Sequence, residues 1–140
     1  MKRIRTTHVI DAPPARVFAT LSDFTRWHAW NPVIPKIRGE ARLGSPVKFR
    51  IVIPGLPPLS LAAKITSVEP ERRLAWTGGL RNVFVGEHYF ELSPHGAGTR
   101  LVHGEDFSGL VSHALIGRVT SKIEAAYDKA NQALDDEVRR

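Results

Sequence analysis

The stretch from Ser108 to Arg140 constrains the fold more than any other part of the chain. Its apolar residues Val111, Leu115, Val119, Ile123, Ala126, Ala130, Leu134 and Val138 recur every three or four positions. That spacing gathers side chains on one helical face. Arg118, Lys122, Glu124, Asp128, Lys129, Gln132 and Asp135 fall between them and suit a wetted side. No proline interrupts the run, and Ser108 or Ser112 is placed to cap its start. The reading is one helix of about thirty residues, a rod of roughly 45 Å at about 1.5 Å per residue. Such a rod after a series of strands needs a curved sheet to cover its apolar side. The functional question is whether sheet and rod pack tightly or enclose a chamber.

A chain of 140 residues is the length of one domain, taken here as residues 1–140, and long enough for a core without covalent staples. There is no cysteine, which excludes disulfides and thiolate ligands. Lys2, Arg3 and Arg5 lead into an alternating pattern rather than an apolar stretch, so no signal peptide is expected. No run is long enough for an integral membrane segment, and a cytoplasmic location is the expectation. The net charge of +6 raises nucleic acid as a partner. The cations are scattered, however, as at Arg16, Arg26, Lys36, Arg38, Arg42, Lys48, Arg50, Lys64, Arg81, Arg100 and Arg118. They form no helical stripe, so a solvated basic surface and no nucleic-acid partner are expected. Nothing in the pattern specifies an oligomeric state.

From the N-terminus, Lys2 to Asp11 alternates with Ile4, Thr6, His8 and Ile10 on one side, which argues a strand. Asp11-Ala12-Pro13-Pro14 opens a helix with Val17, Phe18 and Leu21 on its apolar face. Phe24 to Asn31 gives a second short helix or turn that Pro32 stops. Strands are then expected at Ile37–Leu43, Val47–Ile53, Leu59–Val68, Arg73–Thr77, Val83–Leu92 and Thr99–Phe107. Gly78 and Gly79 are expected to break the fourth of these, and Pro54–Pro58 to form a stiff loop. Strands joined in series by short turns favour an antiparallel meander. The fold class is α+β, with one curved sheet.

Several local motifs meet this order. They are Ile10-Asp11-Ala12-Pro13-Pro14-Ala15-Arg16-Val17-Phe18, Trp27-His28-Ala29-Trp30-Asn31-Pro32 and Leu74-Ala75-Trp76. Gly98-Thr99-Arg100-Leu101-Val102-His103 and Glu105-Asp106-Phe107-Ser108-Gly109 follow. Together they make the chain resemble the START-like (SRPBCC) superfamily, in its polyketide cyclase/dehydrase and lipid-transport-like branch. The resemblance implies a helix-grip fold, in which a seven-stranded curved antiparallel sheet wraps a long C-terminal helix. Two short helices lie between the first and second strands. It also implies a deep, largely apolar cavity whose occupant is a lipid, polyketide or other hydrophobic molecule. One fold hosting many ligands does not fix the activity.

Alternation places Phe84, Gly86, His88, Phe90 and Leu92 on the inner face of one strand, and Leu101, His103, Glu105 and Phe107 on that of the next. The hairpin sets His88 opposite His103 or Glu105. A histidine beside a carboxylate is a proton-transfer pair, an anchor for a ligand's polar end, or a self-satisfied polar cluster. Trp27, Trp30 and Trp76 are candidates for the cavity wall, as are Phe49 and Ile51 on their strand and Leu115 and Val119 on the helix. The expected ligand-binding set is therefore Trp27, Trp30, Phe49, Ile51, Trp76, Phe84, His88, Phe90, His103, Glu105, Phe107, Leu115 and Val119. No metal or cofactor is expected, and no nucleophile elbow, phosphate loop or dinucleotide fingerprint occurs. The first functional expectation is binding of a hydrophobic small molecule. The alternatives are a cyclase/dehydratase-like enzyme using His88, His103 and Glu105, and a protein-interaction module of the chaperone-associated type.

Overall fold

The structure, a computed structural model, describes residues 2–140. Its strands are β1 (Lys2–Ile10), β2 (Lys36–Arg38), β3 (Pro46–Ile51), β4 (Leu59–Glu69), β5 (Arg73–Leu80), β6 (Phe84–His95) and β7 (Gly98–Ser108). Helices α1 (Pro14–Ser22) and α2 (Trp27–Trp30), with a 3₁₀ turn at Phe24–Arg26 between them, separate β1 from β2. Helices α3 (Ser112–Gly117) and α4 (Thr120–Val138) follow β7. The strands form one antiparallel sheet in the order β1-β7-β6-β5-β4-β3-β2. This is the helix-grip arrangement, because β1 closes onto β7 and the sheet curls around α4.

Alternation decides which side of each strand is buried. Ile4, Thr6 and Ile10 face inward on β1, as do Phe84 to Leu92 at every second position of β6 and Leu101 to Phe107 on β7. The hairpin register pairs His88 with Glu105 and Phe90 with His103. On the outer face, Arg5 and Arg73 lie over the ring of Tyr89, whose hydroxyl accepts from Arg5 Nε at 3.0 Å. At the far border β2 has only three residues, and its outward Lys36 and Arg38 sit opposite Arg50 and Lys48.

The unbroken rod expected from Ser108 to Arg140 is two helices with a turn at Arg118–Val119. Gly117 and the β-branched pair Val119-Thr120 weaken helix there. Thr120 Oγ1 also donates to the Ile116 carbonyl at 2.9 Å, competing with the backbone ladder. The main rod α4 is therefore about 28 Å long. The break turns α3 so that Ile116 is buried while Val111 and Leu115 are 45% and 56% exposed.

Two further expectations are corrected. β5 continues through Gly78 and Gly79 to Leu80, because a glycine at 78 lets the Ala62 carbonyl oxygen of β4 approach to 2.7 Å of where a Cβ would stand. The strand expected at Ile37–Leu43 is confined to Lys36–Arg38, since the chain leaves the sheet at Gly39.

Candidate functional site

The interior has a solid end and a hollow end. At the solid end Trp27, fully buried, donates its indole N–H to the Leu21 carbonyl at 3.0 Å. Its ring meets Phe24, Trp30, Trp76 and Phe90 with centroids 5.2 to 6.1 Å apart. Phe49 joins the cluster against Trp76 at 5.4 Å. Asn31 fixes the chain after α2, its Oδ1 accepting from the backbone N–H of Val33 and Ile34, both at 2.9 Å.

At the other end the sheet stands off from α3 and the first turns of α4, leaving a cavity of about 340 Å³. That volume is at the small end of the range for small-molecule sites. β3, β4 and the loop between them supply Ile51, Ile53, Leu56, Pro57, Leu59 and Leu61, while β6 and β7 supply Phe84, Glu105 and Phe107. The helical side is Leu115, Ile116, Val119, Ile123 and Tyr127. Leu59, Leu61 and Leu115 are exposed and form the rim. Only Glu105 and Tyr127 bring polar side-chain atoms to this lining. A depression among Lys36, Arg38, Lys48 and Arg50 on the outer face is larger, at about 460 Å³, but it lies open on the surface.

The expected residues Ile51, Phe84, Glu105, Phe107, Leu115 and Val119 thus meet at the hollow. Trp27, Trp30, Phe49, Trp76 and Phe90 do not, because the aromatic rings pack against one another and fill the solid end. His88 and His103 do not line the hollow either, and stand behind Glu105. Tyr127, Ile123 and Ile116 are the additions from the helices, and Leu56 and Pro57 come from the stiff loop. The apolar character of that loop was legible. The turn that swings Ile116 inward had only weak local signals, Gly117 and the β-branched pair Val119-Thr120.

Behind Glu105 runs a buried hydrogen-bonded chain. Tyr127 Oη donates to Glu105 Oε1 at 2.5 Å, and His88 Nδ1 lies 3.3 Å from both oxygens. His88 Nε2 meets His103 Nε2 at 2.8 Å, and His103 Nδ1 meets Asn131 Oδ1 at 2.8 Å. Asn131 Nδ2 donates to Thr6 Oγ1 at 2.9 Å, and Thr6 Oγ1 donates to the His103 carbonyl at 2.8 Å. Aromatic faces wall in the imidazoles: Trp76 covers His88, while Phe90 and Tyr127 stack on His103. Burial, and next the neighbouring His88, therefore hold His103 well below the ordinary histidine value, despite the bond to Asn131. Burial and then Glu105 push the Tyr127 phenol well above its usual range. Glu105 itself fits because position 86 is glycine, whose absent Cβ would collide with Glu105 Oε2.

The whole chain matches one family, described as polyketide cyclase/dehydrase and lipid transport, over residues 1–139. The protein belongs to that family. Its fold recurs in solved structures of low sequence identity. TTHA0849 from Thermus thermophilus is 18% identical, with 99% of this chain and 97% of that one covered and a TM-score of 0.79. The Zhui aromatase/cyclase from Streptomyces sp. R1128 is 16% identical, with 99% and 94% covered and a TM-score of 0.79. Ara h 8.0201 is 15% identical, with 99% and 97% covered and a TM-score of 0.74. A search of curated protein sequences finds no match. Within this family member, no helix among the described residues is long and apolar enough to cross a membrane.

Proposed function

We propose that this protein binds a hydrophobic small molecule, a lipid, polyketide or similar compound, in the hollow between β3, β4, β6, β7 and the helices. The observation that carries the reading is a cavity of about 340 Å³ whose lining is apolar except at Glu105 and Tyr127. Apolar ligand surface taken from water there contributes about 25 cal/mol per Å², before association costs. The polar pair at one end orients what enters. Native mass spectrometry and solvent extraction of the purified protein test the reading. A recurrent hydrophobic compound, lost when the cavity is filled by mutation, is the expected result. Protein that carries nothing and takes up no apolar compound would overturn it.

A second reading, cyclase/dehydratase-like catalysis, draws on the same geometry. Glu105 touches the hollow and is backed by His88 and Tyr127, so a proton taken from a bound carbon acid passes to a carboxylate already held in a hydrogen-bonded cluster. His103 is one residue further back and acts on His88, not on a ligand. Turnover of an identified ligand that disappears in Glu105→Gln would favour this reading. Turnover unchanged in that variant would remove it.

A further inference from the structure

The hydrogen-bonded chain behind Glu105 has a direction that can be read from its far end. The His103 carbonyl only accepts, so Thr6 must spend its one hydroxyl proton there. Thr6 Oγ1 then accepts from Asn131, which fixes the amide with Nδ2 toward Thr6 and Oδ1 toward His103. His103 Nδ1 therefore carries a hydrogen. With the ring neutral in its buried site, Nε2 is bare and accepts from His88 Nε2–H. His88 thus turns Nδ1 toward Glu105 and Tyr127.

At that point Tyr127 spends its one hydroxyl hydrogen on Glu105 Oε1 at 2.5 Å, with His88 Nδ1 3.3 Å from both oxygens. Glu105 Oε2 then has only lone pairs to offer, and the Tyr127 hydroxyl hydrogen is already committed within the cluster.

We propose that the inner end of the hollow accepts hydrogen bonds and does not donate them. Its ligand is an apolar molecule with a hydroxyl, phenol or N–H at its leading end, and Thr6 and Asn131 set this polarity as positioning residues. A carboxylate or an ether oxygen arriving there meets lone pairs and leaves them unmatched in an apolar site. The inference rests on the cavity being a ligand site and names the class of ligand it takes.

The test compares a naphthol, its methyl ether and the matching naphthoate as probes near neutral pH, by fluorescence titration of the full chain. The naphthol binds at least about tenfold more tightly than either of the others. Equal binding of the ether or the naphthoate overturns the donor requirement while leaving the cavity reading standing. Binding of none of the three overturns both. Long-range ¹H–¹⁵N spectra of the imidazoles supply an independent readout, in which His103 shows a protonated Nδ1 and a bare Nε2. The opposite tautomer in the wild type refutes the directional chain. In Thr6→Val the Asn131 amide is freed, so the single His103 tautomer gives way to a mixture and the preference for the naphthol shrinks. An unchanged preference in that variant removes Thr6 and Asn131 from the argument.

Discussion

Trp76 lies flat on His88, with ring centroids 4.7 Å apart and planes 10° from parallel. The contact joins the two halves of the interior, since Trp76 belongs to the aromatic cluster at the solid end and His88 to the polar chain that ends at the hollow. Stacking fixes the imidazole plane, which in turn aims Nδ1 at Glu105.

Trp76→Ala is therefore expected to act on both halves. Removing a buried indole lowers stability by about 3–5 kcal/mol. It also frees the His88 ring. A reduced denaturation midpoint together with broadened His88 ring signals is the expected outcome, and sharp signals at unchanged positions would show that His88 is held by its hydrogen bonds alone.

Stability should decline as the solution is acidified below pH 6.5, in part through His103. In the unfolded chain this ring titrates near its ordinary value of 6.5, whereas in the native protein it stays neutral to a lower pH. Between those two points the unfolded state binds a proton that the native state does not, so stability is lost as pH falls and is complete above 6.5 as far as this group is concerned. The slope from one such group reaches at most about 1.4 kcal/mol per pH unit. Chemical denaturation at a series of pH values checks it, with His103→Gln expected to flatten the profile in this window. Parallel profiles for wild type and variant would contradict the assignment.

Gly86→Ala should damage the site more than the fold. The added methyl group collides with Glu105 Oε2 and touches the Phe107 ring at 3.4 Å. Overpacking of this kind lowers stability by about 1–3 kcal/mol. The carboxylate must leave its place beside His88 and Tyr127, so ligand affinity falls at least about tenfold. A variant that is less stable yet binds normally would show that Glu105 has no part in binding.

Filling the hollow separates binding from folding. Val119 is half-buried in the cavity wall, and phenylalanine there projects into open space. Val119→Phe is expected to keep the wild-type melting temperature or raise it while abolishing uptake of apolar probes. Leu134→Ala, at a buried core position outside the lining of the hollow, gives the contrasting result: stability drops by about 2–5 kcal/mol and the hollow is untouched.

Much of the architecture could be read from residue order alone. Alternation in β1, β6 and β7 specified which side chains face inward, because a strand has a period of two and a one-residue slip would expose the whole set. The hairpin turn then left few choices of partner for His88. The helical break was hidden, since Gly117 and Thr120 weaken a helix without forbidding one. The aromatic residues misled for a different reason. Trp27, Trp76 and Phe90 have the size and polarity of cavity walls, yet whether such rings face a space or each other depends on three-dimensional packing that no local pattern encodes. Asn131 and Thr6 escaped notice because a helix position and a strand position far apart in the chain become one hydrogen-bonded unit only after folding.

The border strand β2 has a consequence for how copies of this chain behave together. Its three residues offer an incoming strand almost no ladder to copy, and Lys36 and Arg38 place positive charge along the same margin. Crowded molecules therefore repel one another where a longer, neutral margin would invite end-on growth into fibrils. The sheet can stay open on that side without becoming a template for its own aggregation.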